Sequence, residues 1–200
     1  MPSRGALIVV EGIDHSGKTT QCSMLVDALE KLGHNAMSMA FPDRQTHIGQ
    51  ILECYLLGQL ELDAHTAHLL FAANRWEKAS QVEKLLEQGT TIVMDRSSDS
   101  GVAYSVANGL DQGWCSNTDM GLWHPDIVFF LEVPPHVASK RDLFGLERYE
   151  HIEFQERVAM FFESKKHCFH TLSGVLGVRD VHAQILARTI NLDCLKHTQK

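Results

Sequence analysis

Residues 6–20 read ALIVVEGIDHSGKTT. The apolar run ends at Val10, a length that suits a short strand buried on both faces. Gly12 to Thr19 then satisfies the spacing G-x-x-x-x-G-K-[ST], and a helical pattern opens at once behind it. Glycines let the backbone turn its N–H groups inward, and the start of the helix adds partial positive charge, so the stretch predicts a phosphate cradle. In such a cradle Lys18 reaches the β- and γ-phosphates of a nucleoside triphosphate and the Thr19 hydroxyl ligates Mg²⁺. Gly12, Ser16, Gly17 and Thr20 complete the expected nucleotide-binding segment, which by itself does not choose between a GTPase, an ATPase and a small-molecule kinase. A Gly-rich turn that merely opens a helix is the plain alternative, and the strand–loop–helix context weighs against it.

Outward from this loop the same alternation recurs. Further apolar strands are expected at 36–41, 91–94, 126–133 and 170–173, the fourth closed by Pro134-Pro135. Helical patterns fall at 17–32, at 48–87 in two pieces broken near Gly58, at 100–107, up to about 166, and from 178 onward. Residues 108–124, rich in Gly, Asp and Asn, read as a loop. Continuously apolar strands alternating with helices indicate a parallel sheet covered on both faces. With the phosphate loop after the first strand, the expectation is an α/β P-loop NTPase fold. It has a five-stranded parallel sheet, a single domain over 1–200, and a short mobile lid at the polar segment 140–150.

Bulk composition narrows the function. A formal net charge of −7 argues against a general nucleic-acid binder, whose mark is a basic patch, but not against a nucleotide. No apolar run nears the roughly 18 residues that span a bilayer, and the start lacks a signal-peptide pattern, so no membrane role and a soluble, cytoplasmic protein are expected. The five cysteines are scattered, without a C-x-x-C pair, and suit reduced thiols. His65 and His68 lie three apart on one helical face, and a solvated face is the better reading than a metal pair.

Asp95 directly follows the third strand, at the carboxyl edge of the sheet where ligands gather in open α/β folds. It would hold a magnesium-bound water or, more plainly, cap a helix. No N-K-x-D base-reading motif of GTPases is present. Arginines instead fall at strand ends and in the polar segment: Arg44, Arg75, Arg96, Arg141 and Arg148. Phosphoryl transfer rests on positioning and charge neutralisation, and convergent guanidiniums serve both.

Phe41-Pro42-x-Arg44, Leu69-Leu70-Phe71-x-Ala73-Asn74-Arg75-Trp76, Asp95-Arg96, Ser100-Gly101-Val102-Ala103-Tyr104 and Glu147-Arg148-Tyr149-Glu150 recur in the order found in the thymidylate kinase family, which this chain resembles from about residue 4 to residue 182. The resemblance implies transfer of the γ-phosphate of ATP to dTMP, giving dTDP and ADP, with Mg²⁺ as cofactor and a homodimer as the assembly. It implies that Phe71 stacks on thymine and that Arg75 donates to its O4 edge. Asp14 accepts from the sugar 3′-OH, and Tyr104 crowds the 2′ position. Phe41, Pro42, Arg44, Arg96, Gly101 and Tyr149 complete the dTMP site, and Arg141 lies against adenine. Lys140, Arg141, Arg148 and Glu150 belong to the lid, with Gln155 at its hinge. Lys18, Arg96, Asp14 and His15 are the implied catalytic set.

Several positions depart from the family. Where it has a tyrosine, any residue, then a phenylalanine after Asp95-Arg96, this chain has Ser97, Ser98 and Asp99. Asp99 either sets a carboxylate near an anionic substrate or faces solvent and caps a helix, the second being the plainer reading. His15 stands where relatives carry a permanent cation, and a histidine is only partly charged at neutral pH. Trp123-His124 replaces a common proline and lysine, and reads as loop variation. The chain stops soon after its last helix without the short aromatic tail of several relatives, as if truncated or cut from a longer polypeptide. Rival readings are a deoxynucleoside kinase of thymidine-kinase type, a pyrimidine nucleoside monophosphate kinase of broad specificity, and a nucleotide-binding regulatory module.

Overall fold

The computed structural model describes residues 4–196. In chain order the elements are β1 (Leu7–Glu11), α1 (Lys18–Lys31), β2 (Ala36–Ala40), α2 (His47–Leu56), α3 (Ala64–Trp76), α4 (Ala79–Glu87), β3 (Thr91–Asp95), α5 (Ser98–Ala107) and α6 (Gln112–Asn117). They continue with β4 (Ile127–Glu132), α7 (Pro135–Ala138), α8 (Ile152–Ser164), β5 (His170–Ser173), α9 (Val178–Thr189) and α10 (Asp193–Lys196). The five strands form one parallel sheet in the order β2-β3-β1-β4-β5. All five expected strands are present.

β1 is central and wholly buried. Its side chains alternate between two layers, as a strand's must. Ile8 and Val10 join Leu25 and Leu29 of α1 and Ile185 of α9. Leu7 and Val9 join Val82 and Leu86 of α4 on the other face. A third cluster packs α5 against α8, with Phe130 and Phe162 stacked 5.0 Å apart.

Two expectations are corrected. The 48–87 region holds three helices rather than two, because the 57–63 segment and the turn at Glu77-Lys78 both interrupt it. Residues 108–124 are not all loop: Asp111 caps α6 through its side chain, accepting from the Trp114 N–H at 2.7 Å. Turn-forming residues supplied that cap, which composition alone had read as coil. Among the described residues no helix is long and apolar enough to cross a membrane.

The chain leaves β1 toward β2 and β3 on one side and later crosses to β4 on the other. The carboxyl ends of β1 and β3, in register at Val10↔Asp95, therefore border a crevice at the point where the connections diverge.

Candidate active site

That crevice is a cavity of about 430 Å³. One end is the loop between β1 and α1. Gly12 and Gly17 take positive φ there, and so does His15 at 56°, a conformation histidine tolerates better than most residues. No side chain caps α1, so its first N–H groups stay open to an anion. Lys18 is buried, its ammonium donating to the Ile13 carbonyl at 2.6 Å and to Ser16 Oγ at 3.3 Å. Burial, then the nearby Arg96, pull its pKa down to about 8. Thr19 Oγ1 donates to Asp95 Oδ2 at 2.5 Å, joining the loop to the end of β3.

Arg96 occupies a left-handed backbone position with φ 70°. It donates to the Gly12 carbonyl at 2.9 Å and to Asp14 Oδ1 at 2.5 Å. Burial alone would lower its pKa, but Tyr104, Asp14, Asp95 and Glu11 outweigh that and raise it. Asp14 is held from the far side by Gln155, which donates to Asp14 Oδ2 at 2.6 Å and accepts from the Asp14 N–H at 2.9 Å. The Tyr104 ring lies 5.1 Å from the Arg96 guanidinium, and burial raises its phenol's pKa.

The same cavity is lined further by Phe41, Pro42, Phe71, Arg75, Gly101 and Tyr104. Arg44 lies at the rim and pairs with Glu147 of the 140–150 segment at 2.6 Å. Tyr149 stacks on Phe154 at 4.6 Å and shares a 2.9 Å hydroxyl contact with Tyr55. Burial raises its pKa as well.

The 140–150 segment closes over the phosphate loop through three contacts at His15. Arg141 donates to the His15 carbonyl at 2.5 Å, His15 Nε2 meets Glu150 Oε1 at 2.8 Å, and the Phe144 ring stands edge-on at 5.4 Å. Glu150 Oε2 in turn accepts from three consecutive N–H groups, those of Gly145, Leu146 and Glu147. One carboxylate therefore shapes the segment and ties it to the loop.

Of the residues expected at the site, Asp14, His15, Lys18, Thr19, Phe41, Pro42, Arg44, Phe71, Arg75, Asp95, Arg96, Gly101, Tyr104, Tyr149 and Glu150 line the one cavity. Gly12, Ser16, Arg141 and Gln155 do not line it but hydrogen-bond to Arg96, Lys18, His15 and Asp14, which do, and Gly17 adjoins Lys18 in the loop. Thr20 and Lys140 are exposed. Arg148 faces elsewhere: it donates to the Tyr55 and Leu60 carbonyls and to Glu61, and pins the segment to α2.

Three readings change. His68 is buried, not solvated. Its Nε2 lies 3.1 Å from the Cys115 carbonyl, which can only accept, so Nδ1 accepts from the Ser105 hydroxyl at 2.7 Å. Burial lowers its pKa and keeps the ring neutral. No side chain caps α5, and Asp99 does not line the cavity. It is partly buried in the helix's first turn, where burial raises its pKa, Lys165 opposes the rise and Asp119 adds to it. Trp123 is more than loop variation, since it stacks on Phe41 at 5.8 Å and supports the cavity wall.

Other contributors gave no sequence signal. Glu11, one residue past the apolar run that ends at Val10, is fully buried and accepts from the Ser97 and Ser100 N–H groups at 2.8 and 3.2 Å and from the Ser100 hydroxyl at 2.5 Å. Burial, then Asp99, push its carboxyl up to about 7. Asn74, wholly buried, accepts from the Asp43 N–H at 2.7 Å and donates to Thr46 Oγ1 at 3.0 Å, which holds the segment bearing Arg44. Only its place inside the Asn74-Arg75-Trp76 motif could have singled it out.

Comparison with known proteins agrees with this geometry. The family model described as thymidylate kinase matches residues 10–185. The thymidylate kinase of Schizosaccharomyces pombe is 42% identical over 198 residues, covering 96% of this chain and 94% of that protein. That of Arabidopsis thaliana is 52% identical over 161 residues, which is 80% of this chain and 61% of the plant protein's length. The solved thymidylate kinase of Candida albicans, described as having broad substrate specificity, superposes with a TM-score of 0.82 at 34% identity over 95% of this chain and 92% of that one.

Proposed function

We propose, from the premise that this chain belongs to the thymidylate kinase family, that it moves the γ-phosphoryl group of ATP to dTMP and yields dTDP and ADP. The observation that supports this is that the phosphate-loop residues Asp14, His15, Lys18 and Thr19 line the same cavity as Phe41, Phe71, Arg44 and Arg96. An oxygen of the acceptor monophosphate, already anionic, attacks the γ-phosphorus as the bond to the β-phosphate oxygen breaks. No base is needed, which separates this reaction from phosphorylation of a neutral nucleoside. Nearby carboxylates are engaged elsewhere: Asp95 by Thr19, Asp14 by Arg96 and Gln155, and Glu11 by Ser97 and Ser100.

Lys18 and Arg96 neutralise the transferred group, and His15 joins them with its ring steered by Glu150. Arg44 exchanges Glu147 for the acceptor phosphate. Phe71 stacks on the base, Arg75 donates to its O4 edge, Asp14 receives the 3′-hydroxyl and Tyr104 fills the 2′ region. Arg141 borders the adenine, and the 140–150 lid excludes water so that ATP is not hydrolysed. Thr19 and Asp95 present the hard oxygen donors that Mg²⁺ takes and would hold it directly or through water. When bound, Mg²⁺ would supply charge neutralisation to the ATP phosphates.

The protein works in the cytoplasm as one kinase domain and pairs with a second copy through α3, where Leu69 and Trp76, seven residues apart, are both exposed. Light scattering after gel filtration tests the dimer. A coupled assay of ADP release with dTMP, dUMP, dCMP, dGMP, AMP and thymidine tests the activity. The expected result is highest kcat/KM with dTMP; preference for thymidine overturns it.

A further inference from the structure

Arg75, on the last turn of α3, is almost fully buried, and so is its partner Asp119 between α6 and β4. The pairing is side-on: Nε donates to Asp119 Oδ1 at 3.1 Å and Nη2 to Oδ2 at 2.7 Å. A guanidinium has five N–H donors in a rigid fork, so both Nη1 hydrogens and one on Nη2 are left. On its other side the guanidinium lies against Gly101 of α5. A Cβ at that position would stand 2.7 Å from Nη2 and 2.8 Å from Nη1. Asp119 behind and Gly101 beside thus fix the plane and the rotation of the fork. Arg75 and Gly101 border the cavity, whereas Asp119 does not.

Asp119 is itself held by α3. His68 reaches the Cys115 carbonyl and Thr118 Oγ1, and the Trp76 indole N–H donates to the Thr118 carbonyl at 2.8 Å. These residues stand at spacings of seven and eight along the helix, hence on one face. The helix that carries the base-reading arginine also fastens the residue that aims it.

We infer that Asp119 is a specificity-determining positioning residue: it locks the Arg75 fork so that only N–H donors meet the 4-position of the pyrimidine. A 4-oxo base accepts from them, and a 4-amino base sets donor against donor. An arginine free to swing could retreat from the amino group, and discrimination would fall. This inference rests on the dTMP kinase reading above.

Asp119→Asn tests it. The amide keeps the shape but opposes one of the two N–H groups with its own. For a folded variant the expected result is a rise of about tenfold in the KM for dTMP, a loss of less than about threefold in kcat, and a fall of at least about tenfold in the dTMP-to-dCMP ratio of kcat/KM. The KM for ATP stays as it was. A merely structural role would lower the melting temperature and leave that ratio alone, and an unchanged ratio overturns the inference. If Asp119→Asn does not fold, Gly101→Ala displaces the same fork from its other side, and an unchanged ratio there is equally fatal. An unaltered protein that fails to phosphorylate dTMP would instead overturn the kinase reading, and this inference with it.

Discussion

Glu11→Gln isolates the energetic load that this site places on the fold. Burial, followed by the neighbouring Asp99, lifts the Glu11 carboxyl from its ordinary 4.5 to about 7. A carboxyl whose native pKa exceeds its unfolded one favours the native state while protonated. Its contribution is complete below about pH 4.5 and is lost as the pH rises to about 7. The difference between the two values corresponds to about 3 kcal/mol, at about 1.4 kcal/mol for each pH unit. Glutamine cannot ionise and escapes that loss. Its oxygen can still accept from the Ser97 and Ser100 N–H groups, but the Ser100 hydroxyl must turn round, which offsets about 1 kcal/mol. The variant should therefore lie about 1 kcal/mol below the parent near pH 4.5 and exceed it by about 2 kcal/mol at pH 8, the latter roughly 4–8 °C in Tm for a chain of this size. Urea unfolding of both proteins at pH 5, 6, 7 and 8, followed by tryptophan fluorescence, measures the gap. Lys18 is pulled down to about 8 in the parent and the Glu11 carboxylate holds it up, so the comparison is read below pH 7, where Lys18 carries its charge. A gap independent of pH, or a less stable variant at pH 8, refutes the reasoning. Activity should move the other way, because the same carboxylate holds the start of α5 beside Arg96.

Three further outcomes follow from the geometry. A Cβ on Gly49 would stand 1.8 Å from the Asp43 carbonyl oxygen, so Gly49→Ala must push away the segment bearing Arg44; the KM for dTMP should rise about tenfold with the KM for ATP little changed, as steady-state kinetics would show. Asp95→Asn weakens the Thr19 link and the oxygen donors for Mg²⁺, and should lower kcat by about 10²–10³ while raising the Mg²⁺ concentration needed for half-maximal rate; chelation with EDTA should stop transfer altogether. Glu150→Ala deprives three lid N–H groups of their acceptor and frees His15, so ADP release without any acceptor should increase while dTDP formation drops. Unchanged hydrolysis in that last variant would show that the lid closes without Glu150.

The positions of the strands, the phosphate loop and the set of arginines are legible along the chain because each depends on local rules. Apolar runs of strand length, a glycine spacing that turns N–H groups inward, and charge placed after a strand all act within a few residues. Much of what holds those residues in place is not. Asp119 lies in a stretch that composition describes as loop, yet it decides the rotation of Arg75 forty-four positions earlier. Asp99 and His68 were misjudged for the same reason. Whether a polar side chain is solvated or buried depends on what the fold brings against it, here Lys165 and Asp119 for one and Ser105 and Cys115 for the other.

By itself, the amino-acid sequence determined that this protein is a parallel α/β kinase scaffold with a phosphate loop opening its first helix, since strand hydrophobicity and glycine freedom are properties of short segments. Only the tertiary structure decided that Glu11 is a buried anchor, that Asn74 and Asp119 aim the arginines, and that Glu150 joins the lid to His15. Those roles consist of hydrogen bonds between residues far apart in the chain, and such bonds exist only once the sheet and its covering helices have closed around them.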